Sequence, residues 1–257
     1  MCALQSQAPA VVSVDMGYGH LRAAAPLAEA LGAQILHADR PPLADGHEQS
    51  QWARARRLYE VASRVSQLPV VGPTVDALLS AVTSIPRLHP ARDLSAPTWG
   101  ARSLHRLIQN GLGKGLAEQL RTNGSSLLTT FYAPAIAAEH FGCKEVACVA
   151  TDSDLNRVWA PLHAGQSRIK YFVPSRRARR RLAAYGVPLE NIECTGFPLP
   201  DELVGGPDLT ALRGNLCGRL VRLDPQGAFR EMYREELAHF LGPLPKREAL
   251  RPPLLVF

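Results

Sequence analysis

Short runs rich in valine, isoleucine and leucine recur through the first 200 residues, each ending on small or polar residues and most followed by helix formers that stop at glycine. The runs lie in AVVSV (10–14), AQILHAD (33–39), SSLLTTFYAP (125–134), EVACVATDSD (145–154), RIKYFVPS (168–175) and ENIECTGFPLP (190–200). They are nearly continuous in apolar character rather than alternating, which is the pattern of parallel strands covered on both faces. Between them, AAAPLAEAL (23–31) closes at Gly32, AIAAEHF at Gly142 and RRARRRLAAY at Gly186. This rhythm predicts an α/β fold, a Rossmann-like doubly wound parallel sheet, occupying residues 1–200.

Elsewhere the pattern is looser. QWARARRLYEVASRVS (51–66) reads as an amphipathic helix, and ARSLHRLIQNGLGKGLAEQL (101–120) as helical at both ends of a glycine-rich middle. The apolar stretch 68–86 is broken by Pro69, Gly72, Pro73 and Asp76, so it is not read as a membrane span. Residues 201–257 read as a helical linker, with one good helix over 227–241 and LLVF at 254–257 as the first strand of a missing second domain.

A net charge of +6 favours anionic partners. Five cysteines without CxxC spacing, and an N-terminus without a basic and apolar leader, point to reduced thiols in the cytoplasm. In a doubly wound sheet, ligands sit beyond the carboxyl ends of the strands. Asp15, Gly17, His20, Thr129, Thr130, Thr151, Asp152 and Gly196 are therefore expected to converge on one crevice.

The turn GYGH (17–20) constrains the chemistry of that crevice. Arg22 stands where a dinucleotide fingerprint has its third glycine, and NGLGKGL (110–116) lacks the spacing of a P-loop. What remains for Gly17 and Gly19 is close approach of backbone to an anionic ligand at a helix N-terminus. Beside that positive helix end an imidazolium is disfavoured, so His20 is expected to be neutral near pH 7. It then either takes a proton in catalysis or merely hydrogen-bonds the turn.

GYGHLRAAAPLAEAL resembles the first glycine loop and helix of the GT-B glycosyltransferases that include monogalactosyldiacylglycerol synthase, bacterial diacylglycerol glucosyltransferase and the transferase that completes lipid II. TTFYAPAIAAEHFG, VACVATDSDLNRVWAP and KYFVPSRRARRRLAAYGVPLENIECTGFPLP are similar, in the same order, to later segments of their N-terminal, acceptor-side half. The resemblance covers roughly residues 10–200. It implies transfer of a hexosyl group from a nucleotide sugar, UDP-linked, to a hydroxyl acceptor, usually a lipid. It also implies His20 as catalytic base or acceptor-positioning residue, Asp152 as its orienter or a ligand of the acceptor, and Gly17, Tyr18, Gly19, Thr151, Trp159 and Gly196 as substrate contacts. The donor-binding half of such enzymes has no counterpart in these residues, so the chain is not expected to turn over alone. No cofactor beyond the sugar donor is implied.

Two arginine-rich segments suit an anionic membrane surface on the inner face of the plasma membrane: Trp52, Arg54, Arg56 and Arg57 in one, Arg176 and Arg177 in the other. Core packing of the Trp52 face and a solvated face for the second segment are the plainer readings. Nucleic-acid binding is not expected, since no aromatic interleaving accompanies the charge. The histidines show no HxxxH or HExxH spacing, and no metal site is expected; Asp152 and Asp154 alone are too few for one. Two other functions stay open: a non-catalytic Rossmann-like module for an anionic ligand, and a nucleotide-sugar epimerase.

Overall fold

The computed structural model describes residues 9–65, 85–89 and 93–244, with backbone alone for 58–65. The LLVF strand, the 68–84 stretch, Cys2 and the side chains expected to form the far half of the Trp52 helix lie outside the described residues. The chain divides into two compact units, Met1–Pro198 and Leu199–Phe257.

Unit 1 is an α/β doubly wound fold. Among the described residues its sheet has six strands in the order β2-β1-β3-β4-β5-β6, every pair parallel. The strands are β1 (Ala10–Ser13), β2 (Ile35–His37), β3 (Leu127–Thr129), β4 (Val146–Val149), β5 (Lys170–Val173) and β6 (Ile192–Cys194). Each is shorter than the apolar run that announced it, because the runs extend past the paired residues into the loops that face the crevice. Val11, Val12 and Val14 are sealed from solvent, at about 1.5–3 kcal/mol for each such side chain.

Helix α1 (Tyr18–Ala30) starts five residues earlier than the alanine run suggests and carries Pro26 inside it. Proline removes one intrahelical hydrogen bond, and burial of Ala23, Ala24 and Ala28 offsets that loss. Gly17 precedes it at φ +136°, a conformation that L side chains rarely adopt. Helix α2 (Gly46–Val65) and helices α3 (Trp99–Gln109) and α4 (Lys114–Asn123) lead back across the sheet to β3. Helix α5 (Tyr132–His140) follows, with every residue from Ala133 to Ala138 buried, and α6 (Arg176–Ala184) joins β5 to β6.

The glycine-rich middle of 101–120 has a packing explanation. A Cβ on Gly115 would stand 2.6 Å from the Leu43 carbonyl oxygen, so only glycine fits there. The buried Glu48 of α2 accepts from the Gly115 N–H at 2.8 Å, filling the α4 N-terminus with a carboxylate from within the protein. Burial raises the Glu48 pKa, opposed by the backbone N–H groups of Gly115 and Lys114.

Between β4 and β5 the described chain forms only two short 3-10 turns, Arg157–Trp159 and Ala164–Gln166. Arg157, buried, holds this connection by donating to the carbonyls of Ser95, Ala160 and Leu162. Its guanidinium lies 5.8 Å from the Tyr185 ring centre. Among the described residues no carboxylate pairs with it.

Unit 2 contains α7 (Asp201–Val204), α8 (Thr210–Leu223), α9 (Ala228–Met232) and α10 (Arg234–Leu241). The single helix expected over 227–241 is two, separated at Tyr233 (φ −115°, ψ 34°). Asp224 accepts from both the backbone and the guanidinium of Arg230.

Candidate active site

The sheet order reverses at β1, whose chain goes first to β2 on one side and later to β3 on the other. Such a switch point opens a crevice beyond the carboxyl ends of the strands. His20, in the first turn of α1, reaches into it.

Its ring is fixed by the ends of two other strands. Nδ1 lies 3.0 Å from the Thr130 carbonyl oxygen, just past β3, and 2.9 Å from the Thr151 hydroxyl, just past β4. The Thr130 hydroxyl in turn donates to the His20 carbonyl at 2.9 Å and lies 3.3 Å from the Ser13 hydroxyl at the end of β1. The Phe131 ring meets the imidazole edge-on at 4.7 Å between centres. A carbonyl oxygen can only accept, so Nδ1 carries the hydrogen, and the neutral ring has its bare lone pair on Nε2. Nε2 has no protein hydrogen-bond partner among the described residues.

Electrostatics keep that ring neutral. Burial lowers the His20 pKa, opposed by the Thr130 carbonyl and by the nearby charge of Asp152. The agent is therefore desolvation, where the sequence argument named the helix end. Burial also raises the Asp152 pKa, opposed by His20 and by the Trp159 indole N–H that donates to its carboxyl. Asp152 is exposed as a residue, but enough protein surrounds its carboxyl to disfavour the charge.

The expected convergence is partly realised. His20, Thr130 and Thr151 are in direct contact, and Asp152 acts on the ring through charge and makes no hydrogen bond to it. Orientation of the imidazole by hydrogen bonds belongs to the two threonines, which corrects the orienting role expected of Asp152 and leaves its expected contact with the acceptor untouched. Trp159 is 1% exposed and reaches the site through Asp152 and through the Tyr132 ring 5.1 Å away, which lies 4.3 Å from Phe131, so it is a positioning residue and no substrate contact. Tyr18 is 76% exposed, with Gly17 and Gly19 also open to solvent. Thr129 is buried and bonds within its own turn to Phe131. Gly196, in the loop after β6 at φ +89°, makes no hydrogen bond to the His20 group. Asp15 turns away to Arg40 and Arg56. Ser13 and Phe131 were missed. They follow from strand neighbours across the sheet, and nothing in their own segments marks them.

The arginine-rich segments are corrected in the same way. Trp52 is 4% exposed and belongs to the core, so it cannot contact a membrane. Arg56 is tied to Asp15, while Arg54 and Arg57 are exposed. In α6, Arg181 is buried against Asp154 at 2.8 Å, and Arg177 donates to the same carboxylate at 2.7 Å. Asp154 is thus occupied by guanidinium groups, and Arg176 remains exposed. Among the described residues no cluster of three His, Cys, Asp or Glu side chains is placed to hold a metal ion, and no helix is long and apolar enough to cross a membrane.

Comparison with protein-family models, with curated proteins and with solved structures finds no match to this chain.

Proposed function

We propose that the His20 crevice deprotonates an alcohol, and that unit 1 is the acceptor side of a glycosyltransferase passing a hexosyl group from a UDP-linked sugar to a lipid hydroxyl at a membrane surface. The observation that carries this reading is the tautomer of His20: Nδ1–H given to the Thr130 carbonyl, Nε2 bare at the switch point. In the reaction the acceptor O–H gives its proton to Nε2 while its oxygen attacks the anomeric carbon. The bond from that carbon to the nucleotide's phosphate breaks, and the nucleoside diphosphate leaves with the electron pair. The imidazolium so formed is eased by the Asp152 carboxylate and then returns its proton to water. The α1 N-terminus has no acidic residue in its first turn, which leaves its amide groups available to phosphate oxygens. Exposed Arg54, Arg57 and Arg176 suit an anionic membrane.

The test is transfer of labelled hexose from UDP-sugars into organic-extractable lipid, by protein expressed from its full reading frame. A positioned base contributes about 10²- to 10⁴-fold, so His20→Ala is expected to lose activity on that scale. Equal labelling by mutant and wild type removes His20 from the mechanism. Failure of the wild type to label lipid with any UDP-hexose removes the reading.

A further inference from the structure

Beyond the carboxyl ends of β1 and β2, on the other side of β1 from the threonine pair, lies a cleft of about 510 Å³ that the roles above leave unused. Trp52 and Asp39 both line it. Each contributes a polar atom sealed from solvent with no hydrogen-bond partner: the indole Nε1–H of Trp52, a residue 4% exposed, and Oδ1 of Asp39. One orphan is a donor and the other an acceptor. Hydroxyl groups of a ligand suit each of them, since a hydroxyl accepts from the indole and donates to the carboxylate. Asp39 is only half-buried, so a turn about its side chain brings the carboxyl to a ligand.

The same cleft holds two guanidinium groups. Arg40 and Arg56 stand 3.4 and 3.2 Å from one oxygen of Asp15, and all three side chains are substantially exposed. Exposed pairs of this kind are weak, and a phosphate group offers two guanidiniums more oxygens and more charge than one shared carboxylate. The spacing along the chain agrees. Asp39 follows Gly19 by 20 residues and is followed at once by Arg40. In dinucleotide-binding sheets an acid placed about 20 residues beyond the glycine turn holds a ribose hydroxyl, and a neighbouring arginine takes a phosphate.

We propose that this cleft binds a phosphorylated sugar, with hydroxyls on Asp39 and Trp52 and the phosphate on Arg40 and Arg56. The sugar is either a free sugar phosphate or the ribose phosphate of a nucleotide. The site is independent of what the His20 crevice does.

Calorimetric titration of the protein with ribose 5-phosphate, UMP, AMP, ribose and inorganic phosphate tests it. Saturable binding of ribose 5-phosphate or of a nucleotide, tighter than that of inorganic phosphate, is expected, and the tighter of the two arms identifies the source. Asp39→Asn and Arg56→Ala should each weaken it by about tenfold or more, the scale of a hydrogen bond to a charged group. The Arg56 side chain is 42% exposed, so its alanine variant keeps the fold, as circular dichroism will report, even if the Asp39 variant does not. Three results overturn the proposal: no binding of any phosphorylated sugar at millimolar concentration, inorganic phosphate binding as tightly as the sugar phosphates, or an Arg56→Ala protein that binds like the wild type.

Discussion

Replacing Thr151 with valine keeps the branched shape of the side chain and removes the hydroxyl that stands 2.9 Å from His20 Nδ1. The Thr130 carbonyl still holds the Nδ1 hydrogen, so the tautomer survives and the loss is that of one hydrogen bond, about 0.5–1.5 kcal/mol. Nitrogen NMR of the imidazole is expected to show Nδ1–H in both proteins, and the proposed hexosyl transfer to fall by no more than about tenfold in the variant. A shift of the valine variant to the Nε2–H form would overturn the assignment. Protonation gives a second handle. The folded pKa of His20 lies below the ordinary imidazole value because of burial. The unfolded chain therefore binds the proton first, and stability falls as pH drops through about 6.5 and below. In urea unfolding, the midpoints at pH values of about 7.5 and 5.5 should lie closer together in His20→Asn than in wild type. The histidine was legible in GYGH, because a glycine turn before a helix is a local pattern, whereas the burial that lowers its pKa comes from the surrounding fold. The tautomer was not. It depends on Thr130, 110 residues away along the chain, which only the pairing of β1 with β3 brings near.

At the scale of single elements, α6 is anchored by one carboxylate. Asp154 receives Arg181, 1% exposed, and Arg177. Removing its charge leaves the Arg181 guanidinium buried without a counter-ion, which costs about 3–5 kcal/mol. Asp154→Asn is thus expected to lower the urea midpoint far more than Arg177→Ala, whose side chain is largely exposed. Helix α4 gives a steric counterpart. Gly115→Ala drives a methyl group into the Leu43 carbonyl, an overpacking cost of about 1–3 kcal/mol, and thermal unfolding should register it. A Gly115→Ala protein as stable as wild type would show that the two segments separate easily. The arginine run SRRARRR announced a helix but not which arginine turns inward. Asp154 supplies that choice from the loop after β4. In the same way NGLGKGL displayed its glycines while hiding their separate reasons: the loop before α2 passes over Gly115, Ala137 of α5 crowds Gly113, and Gly111 needs its positive φ of 104°.

For the molecule as a whole, the parallel α/β architecture of unit 1 was legible because continuous apolar runs separated by helix formers leave few other ways to bury both. Strand ends were less so, since β-branched residues continue past the last paired position into the crevice. The titrating groups also combine into one prediction about acid. Burial alone would raise the Asp154 pKa, but hydrogen bonds from Arg181, Arg177 and the Leu155 N–H overcome it and hold the group at about 2. Its folded pKa is depressed, so its stabilisation is present above the ordinary carboxyl range and is lost as pH falls from about 4 to about 2, amounting to about 2 kcal/mol. Glu48 and Asp152 are shifted upward, and their contribution runs the other way, fading as pH rises out of the carboxyl range. Unfolding free energy followed from pH of about 5 downward should fall steeply in wild type and flatten in Asp154→Asn.

The connection between β4 and β5 lacks a crossover helix, and Arg157 stands in for one with its fork of N–H groups spread over three carbonyl oxygens. A planar, five-donor cation can act as such a hub; an ammonium at the end of a flexible stem cannot. Lysine at position 157 would preserve the charge and dismantle the scaffold beneath Trp159 and Asp152, so the most conservative substitution by electrostatics is among the least conservative by architecture.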